Sequence, residues 1–216
     1  IGDTEIDFCL QSCSKPINYC IAQGLNGTKQ VHKHVGHEPS GRSFNAFILN
    51  DEGKPHNPLI NSGAIMTTSL VYPNMELHQR FDKVMDFWGE LTFNTVSFDN
   101  SVYLSEKETA DRNYCLGYMM QESGSFQKGK NDEVSRKISR NWTKTMLKDN
   151  LELYFQFCAL ETNLLGTGLL AATLANGGVH PWTNREMFKP DTIKRILSIM
   201  SSCGMYDYSG EFSFEI

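Results

Sequence analysis

Helical periodicity constrains this chain more than anything else in it. Leu77, Phe81, Val84, Met85 and Trp88 fall at i, i+4, i+7, i+8 and i+11, one apolar stripe along a helix. Pro16 suits a first helical turn, which predicts a helix through about Gln23 that stops at Gly24. Residues 59–72 read as a helix of small residues, with Ser62, Gly63 and Ala64 allowing close packing. Ser105 with Glu108 makes a capping box that opens another helix through about Gln121. Residues 149–161 and 167–176 look like buried helices, the second ended by Gly177-Gly178. Pro190-Asp191 starts the last, with Ile193, Ile196, Leu197 and Met200 on its inner side. Extended pieces are short and near the ends, as in the strand-like alternation Phe212-Ser213-Phe214-Glu215-Ile216.

With 216 residues the chain can bury a large core in one domain, or at most two. No run of 18 apolar residues exists, so no membrane-spanning helix is expected. A net charge of −5 argues against general nucleic-acid binding, which needs a basic face. Residues 126–148 hold seven Lys/Arg against Asp132 and Glu133, +5 in all, leaving −10 for the rest; this run reads as a solvated loop. Cysteines at 9, 13, 20, 115, 158 and 203 make no C-x-x-C pair, and they read as buried free thiols. The triplets Asn26-Gly27-Thr28 and Asn141-Trp142-Thr143 carry no weight as glycosylation sites without a secretory signal. With no methionine or leader at Ile1 and no tail after Ile216, both ends read as cut.

Among the polar residues, Ser12 and Lys15 in Gln11-Ser12-Cys13-Ser14-Lys15-Pro16 stand out. Three residues apart, they share one face of a helix. A serine hydroxyl is a poor nucleophile until a base takes its proton, and a desolvated lysine can be that base. S-x-x-K marks serine enzymes built this way, although spacing alone favours a serine-capped surface helix. His32, His34 and His37 lack partners at ligand spacing, so they read as a polar surface turn and not a metal site. His56 sits in a proline-bounded loop and reads as structural. Glu106 and Asn113 are seven apart, on one face of one predicted helix, where they either hold a small zwitterion or are simply solvated. Asn61 opens an otherwise small and apolar helix, where a buried amide must find partners or bind something. Tyr154 reads as a core tyrosine, and Tyr206 follows a helix-ending glycine that can aim its hydroxyl into a cleft.

Together these pieces resemble the glutaminase family of serine-dependent amidohydrolases, and within it the animal kidney- and liver-type enzymes. The matching stretches are Phe8-Cys9-Leu10-Gln11-Ser12 with Lys15-Pro16, Glu38-Pro39-Ser40-Gly41, and Lys54-Pro55-His56-Asn57-Pro58 running into Ile60-Asn61-Ser62-Gly63-Ala64. Further on come Ser105-Glu106, Asp111-Arg112-Asn113, Tyr154-Phe155-Gln156, Ala171-Ala172-Thr173-Leu174-Ala175-Asn176-Gly177-Gly178 and Ser202-Cys203-Gly204-Met205-Tyr206-Asp207. The resemblance implies the mixed α/β (α+β) fold shared with β-lactamases and penicillin-binding proteins, mostly helical here. It implies hydrolysis of the L-glutamine side-chain amide, with Ser12 as nucleophile, Lys15 as base and Tyr206 sharing the proton relay. Gln11, Ser12, Asn61, Glu106, Asn113, Tyr154 and Tyr206 match the family's substrate-holding positions. No metal or cofactor is implied; phosphate is an implied activator, a homotetramer the implied assembly, and mitochondria the implied compartment, with the cytoplasm otherwise. No nucleic-acid or membrane partner is implied.

The same resemblance makes residues 1–216 a partial catalytic domain, with 126–148 an inserted loop. The family's upstream tyrosine, and its lysine-serine-glycine strand and valine-containing glycine turn, fall outside the chain. That predicts weak activity for these residues alone and an unpaired sheet edge at Phe212–Ile216. Ala46 stands where the animal members usually carry a lysine in a gating loop, which bears on phosphate activation and tetramer pairing. For Lys15 to act as a base near pH 7–8, its pKa must fall from ~10.4 by about 2.5–3.5, a cost of about 3–5 kcal/mol that burial can impose. A buried Lys15 without a carboxylate contact is therefore expected. The alternatives are a non-catalytic relative that binds an amino acid or joins active subunits, and a penicillin-recognising acyl enzyme on the same fold.

Overall fold

The computed structural model of the protein describes residues 2–127 and 144–215. Short strands β1 (Phe8–Cys9), β2 (Ser97–Phe98) and β3 (Leu160–Thr162) form one antiparallel sheet in the order β1-β3-β2. Cys9 and Ser97 both pair with Glu161, on opposite sides of β3. Around this sheet lie helices α1 (Lys15–Asn26), α2 (Thr28–Val31), α3 (Asn61–Ser69), α4 (Leu77–Leu91), α5 (Asn100–Glu108) and α6 (Asp111–Glu122). Then come α7 (Lys144–Cys158), α8 (Leu164–Ala175), α9 (Pro190–Cys203) and α10 (Ser209–Glu215). The architecture is α+β and mostly helical.

Helices α1, α3 and α7 carry the core. Ile17, Tyr19 and Ala22 of α1, Ile65 and Met66 of α3, and Leu151, Leu153 and Phe155 of α7 are fully buried. Close approach to α3 rests on Gly63: a Cβ there would lie 1.8 Å from the Asn57 carbonyl oxygen, so only glycine fits. The same Asn57 fixes the entry to α3, its Oδ1 accepting from the amides of Leu59 and Ile60. Helix α4 presents the expected stripe, with Val84 and Trp88 buried and Leu77, Phe81 and Met85 packed at its border.

Several expectations are corrected. Helix α1 runs past Gly24 and ends at Gly27, whose φ of +77° and ψ of 154° are open to glycine and leave the helical path. Ser105 opens no helix; Asp99 does, its Oδ1 accepting from Ser101 and Val102, and the chain breaks at Thr109-Ala110 between α5 and α6. The predicted helix 149–161 ends at Cys158, because Leu160–Thr162 completes the sheet between β1 and β2. Helix α8 is only half buried, with Leu164 and Leu165 outward. On α9, Leu197 faces out, and Ile199 and Cys203 join Ile193 and Ile196 inside.

Residues 209–215 form α10, so the expected strand and sheet edge do not arise there; Ile216 lies outside the described residues. Five alternating residues are too few to fix a period, and the Ser209 hydroxyl, bonded to Met205 N and Tyr206 O, leads the preceding turn straight into a helix. His34 is fully buried and its Nδ1 bonds the Ser125 carbonyl, so the three histidines do not make a surface turn. Cys13 and Cys115 are exposed, against the expectation of buried thiols. Of the proposed loop 126–148, residues 144–148 belong to α7 and 128–143 lie outside the described residues, as does the triplet at Asn141.

Candidate active site

Strand pairing and one tight turn set the site. β1 ends where the Leu10 amide donates to Leu160 O (2.7 Å), and the chain turns through Gln11–Ser14 into α1. Gln11 holds φ at +48°, a left-handed conformation that side chains rarely adopt and that tends to mark functional sites. This turn sets Ser12 one helical step before Lys15, and the Lys15 Nζ donates to Ser12 Oγ at 2.8 Å. Because β1 and β3 are neighbours, the end of α7 comes alongside, with Cys9 Sγ donating to the Cys158 carbonyl at 3.1 Å.

Lys15 also donates to Asn61 Oδ1 at 2.7 Å, and Asn61 Nδ2 donates to Asn113 Oδ1 at 3.1 Å. Serine, lysine and two asparagines therefore form one hydrogen-bonded row across α1, α3 and α6. Lys15 is 3% exposed. Among the described residues no carboxylate makes a salt bridge with it. Burial lowers its pKa to about 8, while its neighbours Cys158, Glu106 and Cys13 pull weakly upward. The Tyr206 ring centroid lies 5.7 Å from the amine. Tyr206 has φ of +56°; burial raises its phenol pKa and a hydrogen bond with Ser12 partly offsets that.

Tyr154 is buried, as a core tyrosine should be, yet its phenol hydrogen-bonds Cys158, one turn further along α7. Burial pushes the Cys158 thiol up to about 12, so it is a neutral group at physiological pH. Glu106 forms the outer edge of the site, where Gln11 Nε2 donates to its Oε1 at 3.1 Å. Glu106 and Asn113 sit on two helices and not one, with Glu106 on α5 and Asn113 at the start of α6. Helix α5 is clamped to α7 by Glu152, which pairs with Lys107 at 2.8 Å and accepts from the Tyr103 hydroxyl.

All the candidates named from sequence gather in this region: Gln11, Ser12, Lys15, Asn61, Glu106, Asn113, Tyr154 and Tyr206. Two neighbours were missed. Cys158 stands four residues after Tyr154, a spacing that marks a shared helix face. Phe44 packs its ring on Tyr206 (5.2 Å between centroids), and its carbonyl accepts from the Asn61 amide at 2.9 Å. No pattern in the sequence signals that loop contact. The Ala46 loop is held by Arg112, which donates to Asn45 O and lies over the Phe47 ring. Among the described residues, no three His, Cys, Asp or Glu side chains converge on a metal position. The arrangement supplies a hydroxyl, an amine with a depressed pKa, a carboxylate at the rim and several amide and phenol groups, a set suited to acyl transfer on a small polar substrate.

The glutaminase family profile matches residues 1–216. The rat "Glutaminase liver isoform, mitochondrial" is 42% identical over all of this chain and 34% of its own length. "Putative glutaminase 3" of Caenorhabditis elegans is 45% identical, again over the whole chain and 34% of its own length. The crystal structure of a Bacillus subtilis probable glutaminase superposes with a TM-score of 0.85 at 29% identity, over 99% of this chain and 64% of that one. The chain thus spans about a third of the length of these two animal relatives.

Proposed function

Because the chain belongs to the glutaminase family and carries its β-lactamase-like fold, we propose that the whole protein hydrolyses the side-chain amide of L-glutamine to L-glutamate and ammonia. One observation supports the reading above the rest: a buried amine, without a carboxylate partner among the described residues, 2.8 Å from a serine hydroxyl. Ser12 Oγ attacks the amide carbon while its proton passes to Lys15 Nζ. The tetrahedral adduct collapses as that proton moves to the leaving nitrogen, releasing ammonia and leaving a glutamyl ester on Ser12. Water then attacks the ester, Lys15 takes its proton and returns it to Ser12, and glutamate departs. Tyr206, hydrogen-bonded to Ser12, shares this relay. Glu106 receives the substrate ammonium, displacing the Gln11 amide that occupies it. Asn61, Asn113 and Tyr154, with Gln11, hold the carboxylate and side chain through amide and phenol donors.

Residues 1–216 are, on this reading, part of a catalytic domain. The rat and mouse relatives are named as mitochondrial liver isoforms, which supports a mitochondrial home; the homotetramer that responds to phosphate rests on the family resemblance alone. The test is ammonia release from L-glutamine by the whole protein and its Ser12→Ala variant. Turnover lost in the variant is expected; equal release from both removes Ser12 as the nucleophile, and none from either overturns the proposal in favour of a non-catalytic relative.

A further inference from the structure

Beside Lys15 lies a small cavity with about 10 Å³ of free volume, lined among others by Lys15, Asn18, Ala64, Thr68, Tyr154 and Cys158 but not by Ser12. That is room for about one water molecule; the exposed wall is more apolar than polar, and the polar residues Lys15, Asn18 and Thr68 stand in it. Its polar groups are short of partners. Trp88 Nε1 donates to Asn18 Oδ1 at 3.2 Å, so the buried amide of Asn18 turns its Nδ2 donor elsewhere, and no partner for it occurs among the described residues. The buried Thr68 hydroxyl likewise has none among them, although the Thr68 carbonyl accepts from Arg80. Lys15 has the same shortfall. As a neutral base its lone pair faces the Ser12 hydroxyl and one N–H meets Asn61 Oδ1. The second N–H, and the third of the ammonium form, have no oxygen acceptor among the described residues.

We propose that this cavity is a specific single-water site, in which the water accepts from Lys15 Nζ and Asn18 Nδ2, bonds Thr68 Oγ1, and serves as the fixed third partner of the amine. The inference rests on the hydrolase reading only for the amine's catalytic use; the site itself does not need turnover. A water there stabilises the ammonium more than the neutral amine, because charge strengthens the hydrogen bond. It therefore keeps the Lys15 pKa from sinking further in a dry recess, and Asn18 and Thr68 become positioning residues for the base. The other titratable groups facing the amine are Cys13 from the preceding turn, Glu106 from α5, Tyr154 and Cys158 from α7, and Tyr206.

A crystal structure that resolves waters, together with NMR titration of the lysine side chains, tests this without glutamine. One water within about 3.2 Å of Lys15 Nζ is expected. Thr68→Val, nearly the same shape, should remove it and lower the Lys15 titration by about half a pH unit or more. Ala64→Cys, which adds bulk to another lining residue, should act in the same direction and serves if the first variant does not fold. A dry cavity in the parent protein, or an unchanged Lys15 titration once the water is gone, overturns the proposal. Since no readout is turnover, its failure is distinct from failure of the hydrolase reading.

Discussion

Lys15 and Arg80 are buried alike, each 3% exposed, and both border α3, yet they behave as different kinds of cation. Arg80 is held by three acceptors: Val71 O at 2.9 Å, Thr68 O at 2.7 Å and Asn150 Oδ1 at 2.8 Å. Burial lowers its pKa to about 10, with Asp149 pulling back, so it stays charged at neutral pH and ties α4 to α3 and α7. Among the described residues Lys15 hydrogen-bonds two neutral side chains, Ser12 and Asn61, and burial brings it to about 8, within reach of a proton exchange. Equal burial thus gives a structural cation in one place and a titratable one in the other. What separates them is the intrinsic basicity of the group and the number of fixed oxygens around it.

Lys15→Met should break the comparison most visibly. If the amine is the base, glutamine turnover by the whole protein falls by about 10³-fold or more, and a smaller loss would move the base elsewhere. Next, Arg80→Leu should destabilise the fold by about 2–4 kcal/mol, because two buried carbonyls lose their donor, while the pH dependence of any activity stays in place. Urea unfolding and a pH–rate profile check both halves. Lys15→Met should do the opposite to stability. A folded-state pKa of about 8 against an ordinary value of 10.5 means that the ammonium is disfavoured by about 3 kcal/mol below pH 8. That penalty shrinks as pH rises from 8 toward 10.5, where the unfolded chain binds the extra proton. The variant should accordingly be about 1–2 kcal/mol more stable at pH 7 and lack the gain seen in the parent above pH 8. A variant less stable than the parent at pH 7 contradicts the comparison.

How much of this was legible depended on distance along the chain. The Ser12–Lys15 contact is local, one turn of backbone, and spacing reveals it. The Asn61 environment forced a statement that its amide needs partners, but Lys15 and Asn113 are 46 and 52 residues away and no periodicity names them. Glu106 and Asn113 show the reverse error. Seven residues fit two helical turns whether or not the helix breaks, and it breaks at Thr109-Ala110 because Asp99 starts α5 early enough for it to end there. Leu160–Thr162 was absorbed into a helix since three residues carry no period of their own; only the two flanking strands make them β. Phe44 reaches Tyr206 through the closure of an irregular loop, which packing decides and local propensity does not.

The smallest expected effect concerns the rim. Glu106 makes no salt bridge with Lys15, but its charge raises the amine's pKa from a distance, in the direction opposite to burial. Glu106→Gln removes that charge while keeping an acceptor for Gln11. The ammonium of Lys15 then loses support, its pKa falls, and the fraction of neutral base at a given pH rises. The alkaline-going rise of kcat/KM should move to lower pH by a few tenths of a unit, the size expected for a charge near a partly screened site. The height of the profile should drop about tenfold or more at the same time, if Glu106 also receives the substrate ammonium. Position and height report separate roles. A rise that stays in place would mean that the carboxylate does not act on Lys15, and would leave intrinsic basicity and the surrounding oxygens to set the base apart from Arg80.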